Sequence, residues 1–134
     1  MKAVVFDSYA LIAFFRNEES YEAVRELLVK MADGEITGYI TTVNVGEVYY
    51  MISRKSSAKH AAIALDALLK FPLVIVDADL KLALEAAGLK AKYALSYADA
   101  FAAALTITKK ATLITGDTEF ESLKGEAGFK VKYL

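Results

Sequence analysis

Cysteine is absent from the 134-residue sequence, and histidine and proline each occur once. Without cysteine the chain can form neither a disulfide framework nor an all-cysteine zinc site, which fits a reducing compartment. The single histidine, His60, lies on the predicted surface of a helix. A Ser-His-Asp triad is therefore disfavoured, and a Cys-His pair or a zinc site with two histidines is excluded.

Long apolar runs, targeting signals and nucleotide-binding loops are absent as well. No run reaches the roughly 18 apolar residues of a membrane span. The apolar stretch 3–6 behind Lys2 is too short for a signal peptide. Neither Gly-x-x-x-x-Gly-Lys-Ser/Thr nor Gly-x-Gly-x-x-Gly occurs, so the usual nucleotide cradles are not predicted. We therefore expect a cytoplasmic protein without a membrane segment.

Charge and hydropathy bear on the partners of the chain. The net charge of −1 gives no overall attraction to nucleic acid, so a local basic patch or a metal would have to hold RNA or DNA. The hydrophobic fraction of 56% and the mean hydropathy of +0.34 are high, which predicts a homodimer interface, although alanine-rich helices would raise the same average. The candidate dimer residues are Phe14, Phe15, Tyr49 and Tyr50.

Short apolar runs alternate with amphipathic segments along the chain. The run 3–6 is typical of a buried parallel strand, whereas the segment 20–32 gathers its apolar residues on one helical stripe. The alternation predicts a three-layer α/β/α fold with a central, mostly parallel sheet of about five short strands, in a single domain over residues 1–134. Predicted strands are 3–6, 36–41, 73–76, 112–115 and 129–133, and predicted helices are 8–15, 20–32, 42–54, 57–71, 79–87, 96–109 and 119–123.

Two boundaries near the end of the chain depend on single residue types. Gly88 is expected to end the helix 79–87, and the lysine-containing residues 90–93 are then a basic connector. The last strand is expected at an edge of the sheet, because Lys130 and Lys132 alternate along it.

Two acids follow predicted strands. Asp7 comes directly after the first strand, and Asp117 comes after the fourth strand and Gly116. Ligands of parallel sheets bind beyond the carboxyl ends of the strands, so both acids are predicted at the functional edge. Each also has a purely structural interpretation, because Asp7 can cap the following helix and Gly-Asp after a strand is a common turn.

Two further acids lie on predicted helices. Glu47 is in a helix that is apolar nearly all round, so we expect it to be buried and in need of a partner. Asn44 and Glu47 also have the spacing of a capping box, as do Ser96 and Asp99. Gly46 is costly inside a helix, by roughly 1 kcal/mol, and close approach of another backbone or a ligand would explain it.

The four acids, Asp7, Glu47, Asp99 and Asp117, predict one metal site if they meet at the same edge of the sheet. Packed together they would repel one another and raise some of their pKa values, and a divalent cation would remove that cost. Oxygen ligands suit Mg²⁺, with Mn²⁺ as a substitute. The chemistry predicted for such a site is hydrolysis of a phosphodiester by a metal-activated water.

The residues that surround these acids resemble the PIN domain along essentially the whole chain. The resemblance is carried by residues 5–11 (VFDSYAL), 46–48 (GEV), 95–100 (LSYADA) and 113–120 (LITGDTEF). A chain of this size is similar to the VapC-like toxins of toxin–antitoxin pairs.

The resemblance implies an Mg²⁺-dependent endoribonuclease that acts on RNA, forms a homodimer and is inhibited by a cognate antitoxin protein. It makes Asp7, Glu47, Asp99 and Asp117 the catalytic and metal-binding quartet, with Asp7 and Asp99 as the principal metal ligands. Ser8 and Thr115 match small polar residues that support the site. The start of the helix that carries Glu47, residues 41–44, departs from the pattern, which leaves the role of Asn44 open.

Two other functions fit parts of the sequence. A receiver-like signalling domain also has a parallel sheet and clustered acids with Mg²⁺, but it needs paired acids after the first strand, where this chain has Ser8 and Tyr9 after Asp7. A non-catalytic RNA-binding protein on the same fold is the other alternative. The candidates for steering RNA to the site are Arg16, Arg54, Lys55, Lys90 and Lys92.

Overall fold

The structure is a computed structural model that describes all 134 residues. The strands and helices alternate as the sequence predicts, and most of their bounds agree with the prediction to within one or two residues. In chain order they are β1 (Ala3–Phe6), α1 (Ser8–Phe15), α2 (Tyr21–Ala32), β2 (Thr37–Thr41), α3 (Thr42–Lys55), α4 (Ala58–Lys70), β3 (Leu73–Val76), α5 (Leu80–Lys92), α6 (Tyr97–Thr108), β4 (Thr112–Thr115), a 3-10 helix (Thr118–Leu123) and β5 (Val131–Tyr133).

The five strands form one sheet in the order β3-β2-β1-β4-β5, and every neighbouring pair is parallel. The predicted three-layer α/β/α fold is thereby confirmed. From β1 the chain first moves outward through β2 to β3, then crosses back to β4 on the other side of β1. The strand order therefore reverses between β1 and β4, and the carboxyl ends of these two strands define the crevice where such sheets bind ligands.

Both faces of the sheet are covered, because successive side chains of a strand point to opposite sides. Val4 and Phe6 of β1 are fully buried in a core that includes residues of α1, α2, α3 and α4. Val5, between them, is buried in a second core with residues of α5, α6 and the 3-10 helix. Burial of each such side chain contributes roughly 1.5–3 kcal/mol, so the uninterrupted apolar run of β1 is what anchors it at the centre.

Side-chain oxygens cap most of the helices. Thr41, Ser57, Asp79 and Ser96 each accept a hydrogen bond from the backbone N–H three residues further on. Caps of this kind satisfy backbone donors that have no partner inside the helix. Helices α3 and α5, capped by Thr41 and Asp79, begin within four residues of the ends of β2 and β3.

The prediction that Gly88 ends a helix is wrong. Helix α5 continues through Gly88 to Lys92, so residues 90–92 are helical and the expected basic connector is part of α5. The continuation buries Leu89 in the second core, which outweighs the low helix propensity of one glycine. The last strand is also shorter than expected, Val131–Tyr133, although it does lie at an edge of the sheet. No helix of the chain combines the length and apolarity needed to span a membrane.

Candidate functional site

Asp7 lies at the point where the strand order reverses, directly after β1. Its side chain is only 1% exposed. One carboxylate oxygen accepts a hydrogen bond from the backbone N–H of Ala10 at 2.9 Å, which caps α1, and the other accepts from the hydroxyl of Thr115 at the end of β4. Burial raises the pKa of Asp7 to about 7. The two hydrogen bonds lower this pKa, whereas the negative charges of Asp99 and Asp117 raise it further.

Thr115 joins the two central strands at this edge. Its hydroxyl donates to Asp7 and accepts from the backbone N–H of Asp117 at 2.9 Å. The side chain of Thr115 is fully buried, and these two hydrogen bonds satisfy its hydroxyl group. Thr115 thus fixes the carboxylate that follows β1 relative to the turn that follows β4.

Asn44 performs a similar function for three helices, and its role was left open by the sequence. Its side-chain amide donates to the hydroxyl of Ser8 in α1 at 3.0 Å and to the carbonyl of Ala98 in α6 at 3.2 Å. Thr41, not Asn44, is the N-cap of α3, so the capping box proposed for Asn44 and Glu47 is wrong. A buried asparagine among apolar neighbours was the signal for this role.

Asp99 lies in the first turn of α6, where its backbone N–H donates to the Ser96 hydroxyl at 3.2 Å. This capping contact uses the backbone of Asp99, and a side-chain hydrogen bond with Ser96 acts on its carboxylate and lowers its pKa. Partial burial raises the pKa of Asp99 to about 6, and the charge of Asp117 acts in the same direction. Glu47 and Glu119 add smaller contributions of the same sign to the pKa of Asp99.

Asp117 and Glu119 approach Asp99 from the other side of the crevice. Asp117 caps the 3-10 helix by accepting a hydrogen bond from the backbone N–H of Glu119 at 2.9 Å. One carboxylate oxygen from each of Asp99, Asp117 and Glu119 lies within 4.8 Å of the others. Glu119 was missed by the sequence analysis, because an acid two residues after a Gly-Asp turn has the pattern of a solvated surface residue.

Glu47 is half-buried on α3 and faces the same cavity. This cavity has a volume of 300 Å³ and is lined by Glu47, Asp99, Asp117 and Glu119. The expectation that α3 is apolar and buried nearly all round is wrong, because Tyr49 and Tyr50 beside Glu47 are exposed. No atom lies within 4 Å of where a Gly46 side chain would begin, so no protein backbone explains that glycine.

None of the carboxylates of Glu47, Asp99, Asp117 and Glu119 forms an ion pair with a basic side chain of the chain. The two ion pairs of the molecule join Arg16 to Glu18 at 4.0 Å and Lys92 to Glu126 at 3.5 Å, and neither involves the acids discussed above. A donor set made only of carboxylate oxygens, some with raised pKa values, is the kind that a hard divalent cation stabilises. Asp99, Asp117 and Glu119 therefore fit a bound Mg²⁺ or Mn²⁺. Glu47 lines the cavity outside this group of three, and the buried Asp7 is not among the residues that line it.

Of the basic residues considered for RNA, Lys55 alone lines this cavity. Arg16 lines a neighbouring cavity of 470 Å³ that also includes Lys55 and His60. Lys90 donates to the carbonyl of Leu95 at 2.7 Å, and Lys92 pairs with Glu126. His60 is exposed and hydrogen-bonded to the Ser56 hydroxyl, in agreement with its predicted surface position.

The fold and the site together define a class: parallel α/β proteins with an acidic cavity at the carboxyl edge of the sheet, where the strand order reverses. The sequence profile of the PIN domain matches residues 4–126, and the chain belongs to the PIN domain family.

Solved structures with the same fold cover nearly the whole chain. VapBC2 from Rickettsia felis, bound to a DNA fragment from its promoter, has a TM-score of 0.75 at 20% identity over 98% of both chains. VapC20 from Mycobacterium tuberculosis, a toxin that cleaves the sarcin-ricin loop, has a TM-score of 0.73 at 14% identity over 88% of this chain and 92% of that one. VapBC-5 from the same organism has a TM-score of 0.71 at 19% identity over the full length of both chains. No curated protein matches the chain in sequence.

Proposed function

We propose that the chain is a divalent-metal-dependent endoribonuclease and the toxin of a toxin–antitoxin pair. The observation that supports this function best is the approach of Asp99, Asp117 and Glu119 to within 4.8 Å of one another, beside Glu47 and without an ion pair to a basic side chain. Membership of the PIN domain family and the likeness to VapBC toxin–antitoxin structures agree with it.

In this proposal Asp7 and Asp99 are the principal ligands of one Mg²⁺ or Mn²⁺, and Glu47 and Asp117 complete its surroundings directly or through water. The bound metal would lower the pKa of a water molecule and neutralise charge on the scissile phosphate. Asp7 keeps coordination capacity, because each carboxylate oxygen has two lone pairs and only one hydrogen bond is made to each.

The supporting residues hold these carboxylates in place. Thr115 keeps one oxygen of Asp7 oriented toward the end of β4, and Ser8 links α1 to Asn44 of α3. We assign Glu119 to the same site, either as a ligand or as a group that orients a metal-bound water. Lys55 is the basic residue placed to attract the phosphate of RNA against the repulsion of the acids.

The alternative of a receiver-like domain does not fit the strand order. In the receiver fold the first strand lies between the second and the third, whereas here β1 lies between β2 and β4. A non-catalytic RNA-binding role on the same fold remains an outcome of the test below.

The proposed partners are an RNA substrate, a cognate antitoxin that covers the site, and a second copy of the chain, in the cytoplasm. Phe14 and Phe15 are poorly suited to the dimer interface predicted for them. Phe14 stacks on Tyr21 at 4.7 Å between ring centres, and Phe15 stacks on Phe71 at 5.8 Å, so both rings belong to an aromatic cluster within the chain. We instead place the dimer surface on α5, where Leu80 and Leu84 are 74% and 64% exposed.

The test is cleavage of a mixed RNA pool by the purified protein with Mg²⁺ or Mn²⁺. We expect cleavage by the wild type, none after addition of EDTA, and a loss on the order of 100-fold in Asp99→Asn. The matched control is Asp66→Asn, which makes the same chemical change at an exposed position on α4. Equal cleavage by Asp99→Asn and the control would refute the assignment, and RNA binding without cleavage would favour the non-catalytic role.

A further inference from the structure

Two exposed aromatic rings border the acidic cavity. Tyr9 of α1 is 46% exposed and Tyr50 of α3 is 45% exposed, and both line the cavity together with the carboxylates. Neither tyrosine hydroxyl is hydrogen-bonded within the chain. Large aromatic side chains contribute most when they are buried, so exposed rings beside a polar site indicate surfaces that a partner covers.

The ring of Tyr9 is held in place by the turn after β4. A side chain at Gly116 would begin 2.3 Å from Cε1 of Tyr9, so the ring lies directly against the glycine backbone, next to Asp117. Tyr9 also lines a second cavity of 550 Å³. The ring therefore borders both cavities, lies against the Gly116 backbone and is still nearly half exposed.

The lining of the cavity combines two kinds of side chain. Carboxylates are joined there by the aromatic and apolar side chains of Tyr9, Tyr50, Ile12 and Met51, and Lys55 is its one basic residue. A nucleotide combines a phosphate, whose charge a cation held by the carboxylates would neutralise, with a flat aromatic base that can stack on a ring. Proteins that hold unpaired RNA bases commonly stack them on tyrosine or phenylalanine rings.

We propose, on the basis of the nuclease function put forward above, that Tyr9 and Tyr50 form a nucleobase subsite. An unpaired base next to the scissile phosphate stacks on these rings while that phosphate lies over the carboxylates. Lys55 then contacts a neighbouring phosphate. A cavity of 300 Å³ is at the small end of ligand pockets, which is a size suited to a single nucleotide. Stacking on these rings requires the face of a base that is free of its helical neighbours.

Other exposed tyrosines serve as internal references. Tyr49 is next to Tyr50 on α3 but does not line the cavity. Tyr97 is exposed as well, but the amino group of Lys90 lies 5.6 Å from the centre of its ring. The subsite is therefore assigned to the two tyrosines whose rings reach the cavity, and Tyr49 is the matched control.

The experiment measures binding of a single-stranded RNA pentamer with 2-aminopurine at its central position. All proteins carry Asp99→Asn, so that binding is measured without cleavage. Stacking quenches 2-aminopurine, and the chain contains no tryptophan to interfere with its fluorescence. We expect quenching by the parent, weaker binding by about 10-fold in Tyr9→Ala and Tyr50→Ala, and parental binding in Tyr49→Ala. Tyr9→Phe keeps the ring and should bind like the parent, which separates stacking from any effect of the hydroxyl.

A pentamer with an abasic central position provides the second comparison. It has no base to stack, so Tyr9→Ala and its parent should bind this probe equally well. The subsite is overturned if the parent does not quench 2-aminopurine, or if folded Tyr9→Ala and Tyr50→Ala bind the fluorescent pentamer as the parent does. Cleavage assays separate the two proposals. If the wild type cleaves RNA but the tyrosine variants bind the fluorescent pentamer as the parent does, the nuclease function is retained and the subsite is refuted. If the parent quenches 2-aminopurine but the wild type does not cleave RNA, the subsite is retained and the nuclease function is refuted.

Discussion

Asp7 is in an environment that opposes its own ionisation. It is almost completely buried, and the charges of Asp99 and Asp117 add to the effect of burial on its pKa. Buried carboxylates without a cation cost stability, and proteins retain them mainly at functional sites. The residue thus links the local capping geometry of α1 to the electrostatics of the whole cavity.

Substitution of Asp7 separates these two roles. Asp7→Asn keeps an oxygen that can cap α1 through the Ala10 N–H, and it removes the buried charge. We expect a free energy of unfolding at pH 8, measured by urea denaturation without metal, that is equal to or higher than that of the wild type. Metal-dependent RNA cleavage should fall on the order of 100-fold. Cleavage at the wild-type rate by folded Asp7→Asn would contradict the assignment.

The raised pKa values also predict how stability depends on pH. The folded pKa values of Asp7 and Asp99, about 7 and about 6, lie above the ordinary value of 3.8, so the folded state holds more protons between these values. The contribution of these bound protons to the free energy of unfolding is fully present below pH 3.8. It is lost as the pH rises through the folded pKa values of about 6 for Asp99 and about 7 for Asp7.

Melting temperatures of the protein in EDTA measure this effect. The melting temperature of Asp7→Asn minus that of the wild type should increase between pH 4 and pH 8, because only the wild type must ionise a buried carboxyl. The exposed substitution Asp66→Asn is the reference, and its difference should be nearly independent of pH over the upper part of this range. If the melting temperature of Asp7→Asn minus that of the wild type decreases as the pH rises, the predicted direction of the pKa shift of Asp7 is wrong.

Among the elements, α1, α3 and α6 meet at the cavity, and their relative placement is set by buried hydrogen bonds. The amide of Asn44 reaches both Ser8 and Ala98, and Ala98 directly precedes Asp99. Glu47 lies one turn further along α3 from Asn44. Two acids on different helices are therefore positioned by one uncharged side chain, in addition to the packing of the apolar cores.

Removal of that amide should weaken the site and the fold together. Asn44→Ala leaves the Ala98 carbonyl without its side-chain partner, and we expect a loss of about 1–3 kcal/mol in the free energy of unfolding. Cleavage should decrease as well, because α3 and α6 are less firmly held. Thermal denaturation and RNA cleavage measure the two effects, and a variant as stable and as active as wild type would show that apolar packing alone sets the helix positions.

The elements also show which parts of the structure could be predicted from sequence. The strand before Asp7 was predictable, because an uninterrupted apolar run is typical of a strand buried on both faces. The end of α5 was not, because Leu89 keeps the helix going for tertiary reasons that a rule about glycine does not contain. Glu119 was missed although a short helix was predicted at 119–123, because the sequence pattern does not show that its carboxylate lies close to those of Asp99 and Asp117.

For the whole molecule, the unpaired apolar side chains of α5 are the feature that points to self-association. Leu80 and Leu84 are four residues apart and so lie on the same side of the helix. We expect light scattering to show a dimer of the wild type and a monomer of Leu84→Glu, because a charge cannot be buried unpaired in the interface. The control is Leu69→Glu, the same chemical change at a position of α4 that is 58% exposed. A wild-type protein that stays monomeric at high concentration would refute the proposal of a dimer.

The central claim is that carboxylates from distant parts of the chain share one divalent cation. Calorimetric titration of the metal-free protein with Mn²⁺ tests it most directly. We predict saturable binding by the wild type, binding weakened on the order of 10–100-fold in Asp99→Asn, and unchanged binding in Asp66→Asn. A wild-type protein that binds no Mn²⁺, or an Asp99→Asn protein that binds it as tightly as the wild type, would contradict the account.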